Sequence, residues 1–183
     1  MNCFSIKNNM GYSAGVLLYK QYDDACYLLL GKDVRYNLWS DFGGSCEDND
    51  KGESVNTASR EFYEETIGGI SDECELRFKL NHCALCLNCE TYKKNLYYMY
   101  VMDASNVIRM VDDTIDDFNY QHFLIGKTHL NPFKKFKEKY QIGWFSIEYV
   151  IQNPILFREV FYTSLTKNID TIRNYVKTTV VDA

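Results

Sequence analysis

The sequence has few prolines, no long apolar run and no excess of positive charge. Only two of its 183 residues are proline, and no segment shows a repeat, a low-complexity tract or a linker. No apolar run is long enough to span a bilayer, and the opening MNCFSIKNNMGYS lacks the apolar core of a signal peptide. We therefore expect a cytoplasmic protein with no membrane partner.

The composition is that of an ordinary globular protein. It is 46% hydrophobic and 25% charged, and its length suits one domain over residues 1–183. A net charge of −5 argues against nucleic-acid binding over the whole surface, although it leaves a local basic patch open. The bias towards Asn and Tyr over Ala and Pro is consistent with an AT-rich genome, such as that of a large DNA virus, which would place the protein in the host cytoplasm.

Cysteine is present in an odd number, seven, without an export signal, which favours reduced thiols. The spacing Cys83-x-x-Cys86-x-x-Cys89 invites a zinc interpretation. Zinc normally takes four tetrahedral ligands, whereas thiols on a predicted strand would point to opposite faces, so we favour inert cysteines. The acidic segment 112–117 could add metal ligands, but a solvated loop is the commoner explanation.

Three glutamates dominate the centre of the chain. If their segment is helical, Glu61, Glu64 and Glu65 lie at i, i+3 and i+4 and share one face. Such crowding is repulsive, but a hard divalent cation would relieve it, because Mg²⁺ and Mn²⁺ prefer carboxylate oxygens. Arg60 can orient Glu64 from four residues earlier. Upstream, Gly43-Gly44 allows the backbone to approach a metal or a phosphate closely.

These residues resemble the Nudix box. Its core matches without gaps at Arg60, Glu61, Phe62, Glu64 and Glu65. The flanks depart from the pattern: eight residues rather than five separate Gly44 from Glu53, six rather than seven separate Glu53 from Arg60, and two rather than one precede Gly68. The alternative is a solvated acidic helix face.

The resemblance implies an α/β fold, a Nudix-type α/β/α sandwich with a mixed central sheet in a single domain. It implies that Mg²⁺ or Mn²⁺ is held by Glu61, Glu64 and Glu65, with help from the carbonyl of Gly43. Such metals lower the pKa of bound water, so that hydroxide can attack phosphorus in line. The implied activity is therefore hydrolysis of a phosphoanhydride bond in a nucleoside diphosphate linked to another group.

The resemblance also assigns roles to single residues. Arg60 would orient a glutamate. The general base varies in the family, so it is either a glutamate of the box, such as Glu64, or an acid on a later loop. Glu138 is the first later candidate and Glu148 the second.

Substrate and partners stay open among several alternatives. The composition, the lengthened loop and a Lys-rich segment favour the 5′ cap of mRNA, with a cationic rim formed by Lys134, Lys135, Lys137 and Lys139. The alternative is that the Lys-rich segment forms an amphipathic helix on the surface with no role in binding. Trp39, Tyr36 or Phe123 would stack on a base, or else pack in the core.

Other functions remain possible. Small nucleotides such as ADP-ribose or dinucleoside polyphosphates, and diphosphoinositols, are the substrate alternatives. A catalytically silent binding module of the same fold is an alternative of another class, although the intact glutamates argue against it. A homodimer is also open, since many members of the family dimerise.

Hydrophobic periodicity predicts the elements around the box. We expect strands at 13–20, 25–31, 75–80, 84–88, 97–102 and 143–150. A helix is expected from residue 53 or 54 to the glycines at 68–69, with Val55, Ala58 and Phe62 facing the core. Asn131-Pro132 predicts the start of a short Lys-rich helix, and Asn153-Pro154 that of a long final helix.

Overall fold

A mixed sheet lies at the centre of the fold. The structure is a computed structural model, which describes residues 11–66, 68, 70–90, 95–107 and 138–181. The seven strands of the described part are β1 (Tyr12–Tyr22), β2 (Ala25–Asp33), β3 (Trp39–Ser40), β4 (Phe42–Ser45), β5 (Leu85–Glu90), β6 (Leu96–Asp103) and β7 (Lys139–Ser146). The helices are α1 (Ser54–Glu65), α2 (Glu73–Cys83), α3 (Ile147–Gln152), α4 (Glu159–Lys167) and α5 (Ile169–Val181).

Strand β1 organises the sheet. It pairs antiparallel with β2, so the strands predicted at 13–20 and 25–31 form a hairpin, and it pairs parallel with β6, which in turn pairs with β5. The β1–β2 pairing runs from Tyr22–Ala25 to Leu18–Leu29. Past this paired region, β3 and β4 lie between β1 and β2, since β3 pairs with β2 and β4 pairs with β1. This crossing sets residues 40–44 beside the middle of the sheet.

The two faces of the sheet carry separate cores. Along β1, Val16 and Leu18 belong to one buried cluster, and Leu17 and Tyr19 to the other, as strand alternation requires. Helices α1 and α2 cover the first face, and α3, α4 and α5 cover the second. Helices on both sides of a mixed sheet confirm the predicted α/β sandwich.

Helix α1 follows its apolar spacing. Val55, Ala58 and Phe62 lie on one face and are buried, as predicted. The helix ends at Glu65, three residues before the predicted glycines. Gly68, with φ of +61°, lies just beyond it and donates its N–H to the carbonyl of Tyr63 at 2.8 Å. A left-handed conformation of this kind is what glycine permits after a helix.

The strand predicted at 75–80 is wrong, because those residues belong to α2. Asp72 caps this helix, accepting hydrogen bonds from the N–H groups of Cys74 at 2.9 Å and Glu75 at 3.2 Å. Leu76 and Leu80 are buried at helical spacing, i and i+4. The capping aspartate and the buried pair of leucines therefore explain why residues 75–80 form a helix and not a strand.

The C-terminal third also differs from the prediction. Lys139 and Tyr140 lie in β7, not in a helix, and β7 ends at Ser146, whose side chain caps α3 by accepting from the N–H of Tyr149. The predicted strand 143–150 is therefore half helix. The predicted long final helix is a short 3₁₀ turn at Pro154–Leu156 followed by α4 and α5.

Several predictions fall on residues that are not described. These are the cationic rim residues Lys134, Lys135 and Lys137, the helix start at Asn131-Pro132, Phe123, and the acidic segment 112–117. Within the described part, no helix is both long and apolar enough to cross a membrane.

Candidate functional site

The acidic face of α1 meets the glycines of β4 at a cavity of about 760 Å³. Glu61 and Glu64 line it from the helix, and Gly43 and Gly44 line it from the strand. Glu65 does not line the cavity but is buried behind it. The predicted cluster is thus divided, with two glutamates facing the cavity and one facing the protein interior.

Gly44 makes room for a carboxylate. A Cβ atom placed on Gly44 would lie 2.5 Å from Oε1 and 2.6 Å from Oε2 of Glu61, much closer than any real side chain allows. Only glycine at this position lets the Glu61 carboxylate lie against the backbone of β4. The close approach expected of Gly43-Gly44 is therefore made, by Gly44, to a carboxylate of the same chain.

Arg60 connects the acids beside the cavity. Its Nη1 atom donates to Glu61 Oε1 at 2.9 Å and to Glu64 Oε2 at 3.4 Å. Its Nε and Nη2 atoms each donate to Asp50 at 3.0 Å, and Nη2 also reaches the carbonyl of Ser45 at 2.9 Å. The predicted contact between Arg60 and Glu64 is present, but the shorter, two-pronged bond is to Asp50.

Asp50 anchors this arginine, although no sequence pattern singles it out. The residue is buried, and its carboxylate also accepts from the N–H of Glu47 and the hydroxyl of Thr57, both at 2.8 Å. Burial opposes its ionisation, but the hydrogen bonds from Arg60, Glu47 and Thr57 together hold the pKa of Asp50 below its usual value. Asp50 is therefore a charged partner for Arg60 at neutral pH.

Lys139 has a different position from the one predicted for it. It is only 2% exposed, its Nζ lies 3.4 Å from Oε1 of Glu65, and it donates to the hydroxyl of Ser40 at 2.7 Å. The other carboxylate oxygen of Glu65 accepts the N–H of Gly43 at 2.8 Å. Burial raises the pKa of Glu65 and Lys139 opposes that shift. Assigning Lys139 to a solvated cationic rim is therefore wrong.

A second buried acid lies beside this pair. Asp41 and Tyr97 are both buried, and the Tyr97 hydroxyl donates to the Asp41 carboxylate. Burial raises the pKa of both groups. Asp41 and Tyr97 line the cavity together with Ser40, so the floor of the cavity is polar although it sits in the middle of the sheet.

Of the two later acids, Glu138 lies at the cavity. Glu138 is exposed, lines the cavity and is held by a backbone bond from the N–H of Val34 to its carbonyl at 2.8 Å. Burial raises the pKa of Glu61 to about 7, against the opposing charge of Arg60, with Glu64 and Glu138 adding to the rise. Glu148 lies on α3 instead, 3.4 Å from Arg173, and does not line the cavity.

Trp39 lies outside the cavity wall. Its ring packs edge-on against Phe145, with 4.7 Å between centroids, and the Lys32 ammonium lies 5.7 Å from its centre. Tyr36, the other aromatic residue considered for base stacking, does line the cavity. It is 50% exposed, and Arg35 and Arg158 stand beside it. Nothing in the local sequence marked Arg158, because the fold alone brings it there.

The cysteines are divided between a helix and a strand. Cys83 is the last residue of α2, so its assignment to a strand is wrong. Cys86 and Cys89 both lie on β5, where Cys86 is exposed and Cys89 is buried. The expected opposition of side chains on a strand therefore applies to this second pair.

The chemistry of the donors fits Mg²⁺ or Mn²⁺. Glu61, Glu64 and Glu65 offer only oxygen ligands, and the glycine at position 44 keeps the Glu61 carboxylate at the cavity surface. As placed, no three His, Cys, Asp or Glu side chains of the described residues stand close enough together to hold a metal ion. Arg60 contacts Glu61 and Glu64 instead, and Lys139 contacts Glu65.

Solved structures identify the fold. A Nudix hydrolase from Mycobacterium smegmatis, RenU, is similar with a TM-score of 0.51 and 12% identity, covering 90% of this chain and 88% of that one. A Listeria monocytogenes protein assigned as a Nudix hydrolase is similar with a TM-score of 0.51 and 15% identity, covering 89% and 94%. No protein-family profile and no curated protein matches the sequence. The likeness shows that the chain has the Nudix fold.

Proposed function

We propose that this protein is a metal-dependent hydrolase that cleaves a phosphoanhydride bond in a nucleoside diphosphate linked to another group. The observation that carries the proposal is the acidic face of α1 against the glycines of β4, with Glu61 and Glu64 lining one cavity. The shared fold supports it, since the neighbours in structure are described as Nudix hydrolases. The presence of all three glutamates argues against a binding module without catalytic activity.

Each residue has a part in the proposed reaction. Mg²⁺ or Mn²⁺ would be held by Glu61, Glu64 and Glu65 with the backbone of Gly43, and when bound it neutralises phosphate charge and makes a bound water more acidic. Arg60 orients Glu61 and Glu64 through its hydrogen bonds. Glu138, exposed at the cavity wall, takes the proton of the attacking water on its carboxylate.

For the substrate we favour the 5′ cap of mRNA. The support is the Lys-rich sequence that precedes Glu138, with Lys134, Lys135 and Lys137, because positive charge of this kind suits the phosphates of an RNA tail. ADP-ribose, a dinucleoside polyphosphate or a diphosphoinositol is the alternative, because the residues that would do the chemistry are the same for all of them.

A hydrolysis screen with added Mg²⁺ or Mn²⁺ tests the proposal. Capped RNA, ADP-ribose, diadenosine tetraphosphate and a diphosphoinositol are offered to the wild type and to Glu64→Gln, Glu138→Gln and Glu148→Gln. Loss of a ligand or of the base should lower kcat by about two orders of magnitude or more for the first two variants. Glu148→Gln should keep activity, and so should the matched control Glu90→Gln at the exposed end of β5. Activity that survives excess chelator, or that survives in Glu64→Gln, would contradict the proposal.

A further inference from the structure

Two arginines line the cavity together with the glutamates. Arg35 and Tyr36 belong to the loop after β2, and Arg158 directly precedes α4. We call Arg35 and Arg158 the arginine pair. They reach the cavity from chain segments more than a hundred residues apart, so the pair is a product of the fold.

The loop that carries Arg35 is tightly held. Asp33, which is buried, accepts hydrogen bonds from the N–H of Arg35 at 2.7 Å and of Tyr36 at 2.9 Å. The N–H of Asn37 closes the turn on the carbonyl of Asp33 at 2.9 Å. An aspartate that accepts from the N–H groups two and three residues later fixes the loop, so the backbone positions of Arg35 and Tyr36 are preorganised.

Tyr36 brings the two charges together. The guanidinium carbons of Arg35 and Arg158 each lie 5.2 Å from the centre of its ring, so they are at most twice that distance apart. A tyrosine ring attracts each cation by about 1 kcal/mol at an exposed site, whereas the cations repel each other. Both cations line the cavity, so each is placed to attract an anion that enters it.

Among the described residues, the guanidinium groups of the arginine pair have few partners. There Arg158 makes a long ion pair with Asp33, 3.8 Å from Nη1 to Oδ2, while the other oxygen of Asp33, Oδ1, accepts two N–H bonds. Within the described part of the chain, neither guanidinium donates a hydrogen bond to another residue. Each guanidinium has five N–H donors in a planar fork, a shape that matches phosphate oxygens.

The cavity is lined by groups of both charges. Glu61 and Glu64, on α1, would hold metal and the scissile diphosphate, whereas the arginine pair comes from the loop after β2 and from the residue before α4; Asp33, Asp41 and Glu138 line the same cavity. A substrate that ends at its diphosphate offers no further anionic group to the arginine pair. A substrate that carries a further phosphate beyond the scissile bond offers one.

We infer that Arg35 and Arg158 bind a phosphate group of the substrate other than the two joined by the scissile bond, and that Tyr36 holds the pair in place. This inference rests on the proposed function and narrows it. It selects substrates with additional phosphates, such as capped RNA or a dinucleoside polyphosphate, over ADP-ribose. Arg35 and Arg158 are binding residues in this account and take no part in the bond cleavage.

Kinetics on two substrates test the inference. ADP-ribose has phosphates only at the scissile bond, whereas diadenosine tetraphosphate has further ones. Arg35→Gln and Arg158→Gln should each raise KM for the tetraphosphate about tenfold, the cost of losing one charge-assisted hydrogen bond. KM for ADP-ribose and kcat for both substrates should change less than twofold. Arg173→Gln, an exposed arginine outside the cavity, is the matched control and should change neither substrate.

A binding measurement separates this inference from the proposed function. Calorimetry with inorganic tripolyphosphate in excess chelator reports the arginine pair without any hydrolysis. Wild type and Arg173→Gln should bind it, and Arg35→Gln should bind at least tenfold more weakly. If no substrate is hydrolysed but this difference holds, the proposed function fails and the anion site stands. Equal binding by Arg35→Gln, or equal rises in KM on both substrates, would overturn the inference. Arg35→Gln is used here because Arg35 is exposed, and a substitution at an exposed position should change the stability little.

Discussion

Two cations face the glutamates of α1, and their surroundings are opposite. Arg60 lies beside the cavity, with its side chain 12% exposed, and divides its donors among Asp50, Glu61 and Glu64. Lys139 is fully enclosed and serves one carboxylate, that of Glu65, and one hydroxyl. The acidic face of α1 thus has two counter-charges. Arg60, at the cavity, is shared by several carboxylates, whereas Lys139, in the interior, pairs with Glu65.

Because their counter-charges differ, Glu61 and Glu64 can change hydrogen-bond partners, whereas Glu65 cannot. A guanidinium with several acceptors can release one of them and keep the rest, so Glu61 and Glu64 can change partner when a ligand enters. A buried ammonium has no water to replace a lost carboxylate, and neither does the carboxylate. Glu65 is therefore a fixed point of the site, tied to Lys139 and to the backbone of Gly43.

The largest effect is expected when the buried cation, Lys139, is removed. Lys139→Met leaves Glu65 charged or protonated in the protein interior without its partner, so we expect a loss of about 3–5 kcal/mol in the free energy of unfolding. Urea unfolding in chelator measures it. Lys167→Met, at an exposed position on α4, is the matched control and should change stability by less than about 0.5 kcal/mol.

A double variant shows whether the loss comes from charge. Lys139→Met combined with Glu65→Gln removes both charges, so part of the stability should return. A loss in Lys139→Met no larger than in Lys167→Met would show that Lys139 does not compensate Glu65, and the contrast with Arg60 would then disappear.

The next largest effect is on pH dependence. Burial raises the pKa of Glu61 from its usual 4.5 to about 7, so the folded protein holds a proton that the unfolded chain has lost between these values. Stability of the metal-free protein should therefore fall as pH rises from about 4.5 to 7 and then level off, by at most about 3 kcal/mol for this group. Asp50, whose pKa is lowered, loses its contribution only at more acidic pH and does not add to this window.

Melting temperatures across pH 4.5–8 in chelator check this slope. Glu61→Gln cannot titrate, so its profile should be flatter than that of the wild type by the contribution of Glu61. The slope that remains in Glu61→Gln reports the other buried acids, Glu65 and Asp41, whose pKa values are also raised by burial. Identical profiles for wild type and Glu61→Gln would show that Arg60 already keeps Glu61 ionised, which would make the cavity-side glutamates as fixed as Glu65.

The local pattern was enough for α1 and its acidic face. Helical spacing predicted the burial of Val55, Ala58 and Phe62, and the same spacing grouped Glu61, Glu64 and Glu65. Those relations lie within a few turns of one helix. The strands β1, β2, β5 and β6 were also predictable, because alternation or an apolar run is again local.

The rest of the site depends on long-range contacts. Lys139 belongs to a Lys-rich segment, so its local sequence predicts a surface lysine. The pairing of β7 with β2 places it in the interior instead, with its Nζ atom 3.4 Å from Glu65 Oε1. Asp50 lies in a lengthened loop that resembles no part of the box, yet it is the main partner of Arg60. Buried charges are exceptions to the composition rules, so a sequence pattern cannot mark them.

The smallest of the expected effects concerns the cavity-side cation. Arg60→Met removes the hydrogen bonds to Asp50, Glu61 and Glu64, but Asp50 keeps its bonds from Glu47 and Thr57, and both glutamates reach the water of the cavity. We expect a loss of about 2 kcal/mol, less than that for Lys139→Met. Urea unfolding in chelator measures it, with Arg173→Met as the exposed control. In a double-mutant cycle with Asp50→Asn, the two losses should add up to more than the double variant shows, because they share one pair of hydrogen bonds. A loss in Arg60→Met equal to or above that in Lys139→Met would mean that the cavity-side cation is as indispensable as the buried one.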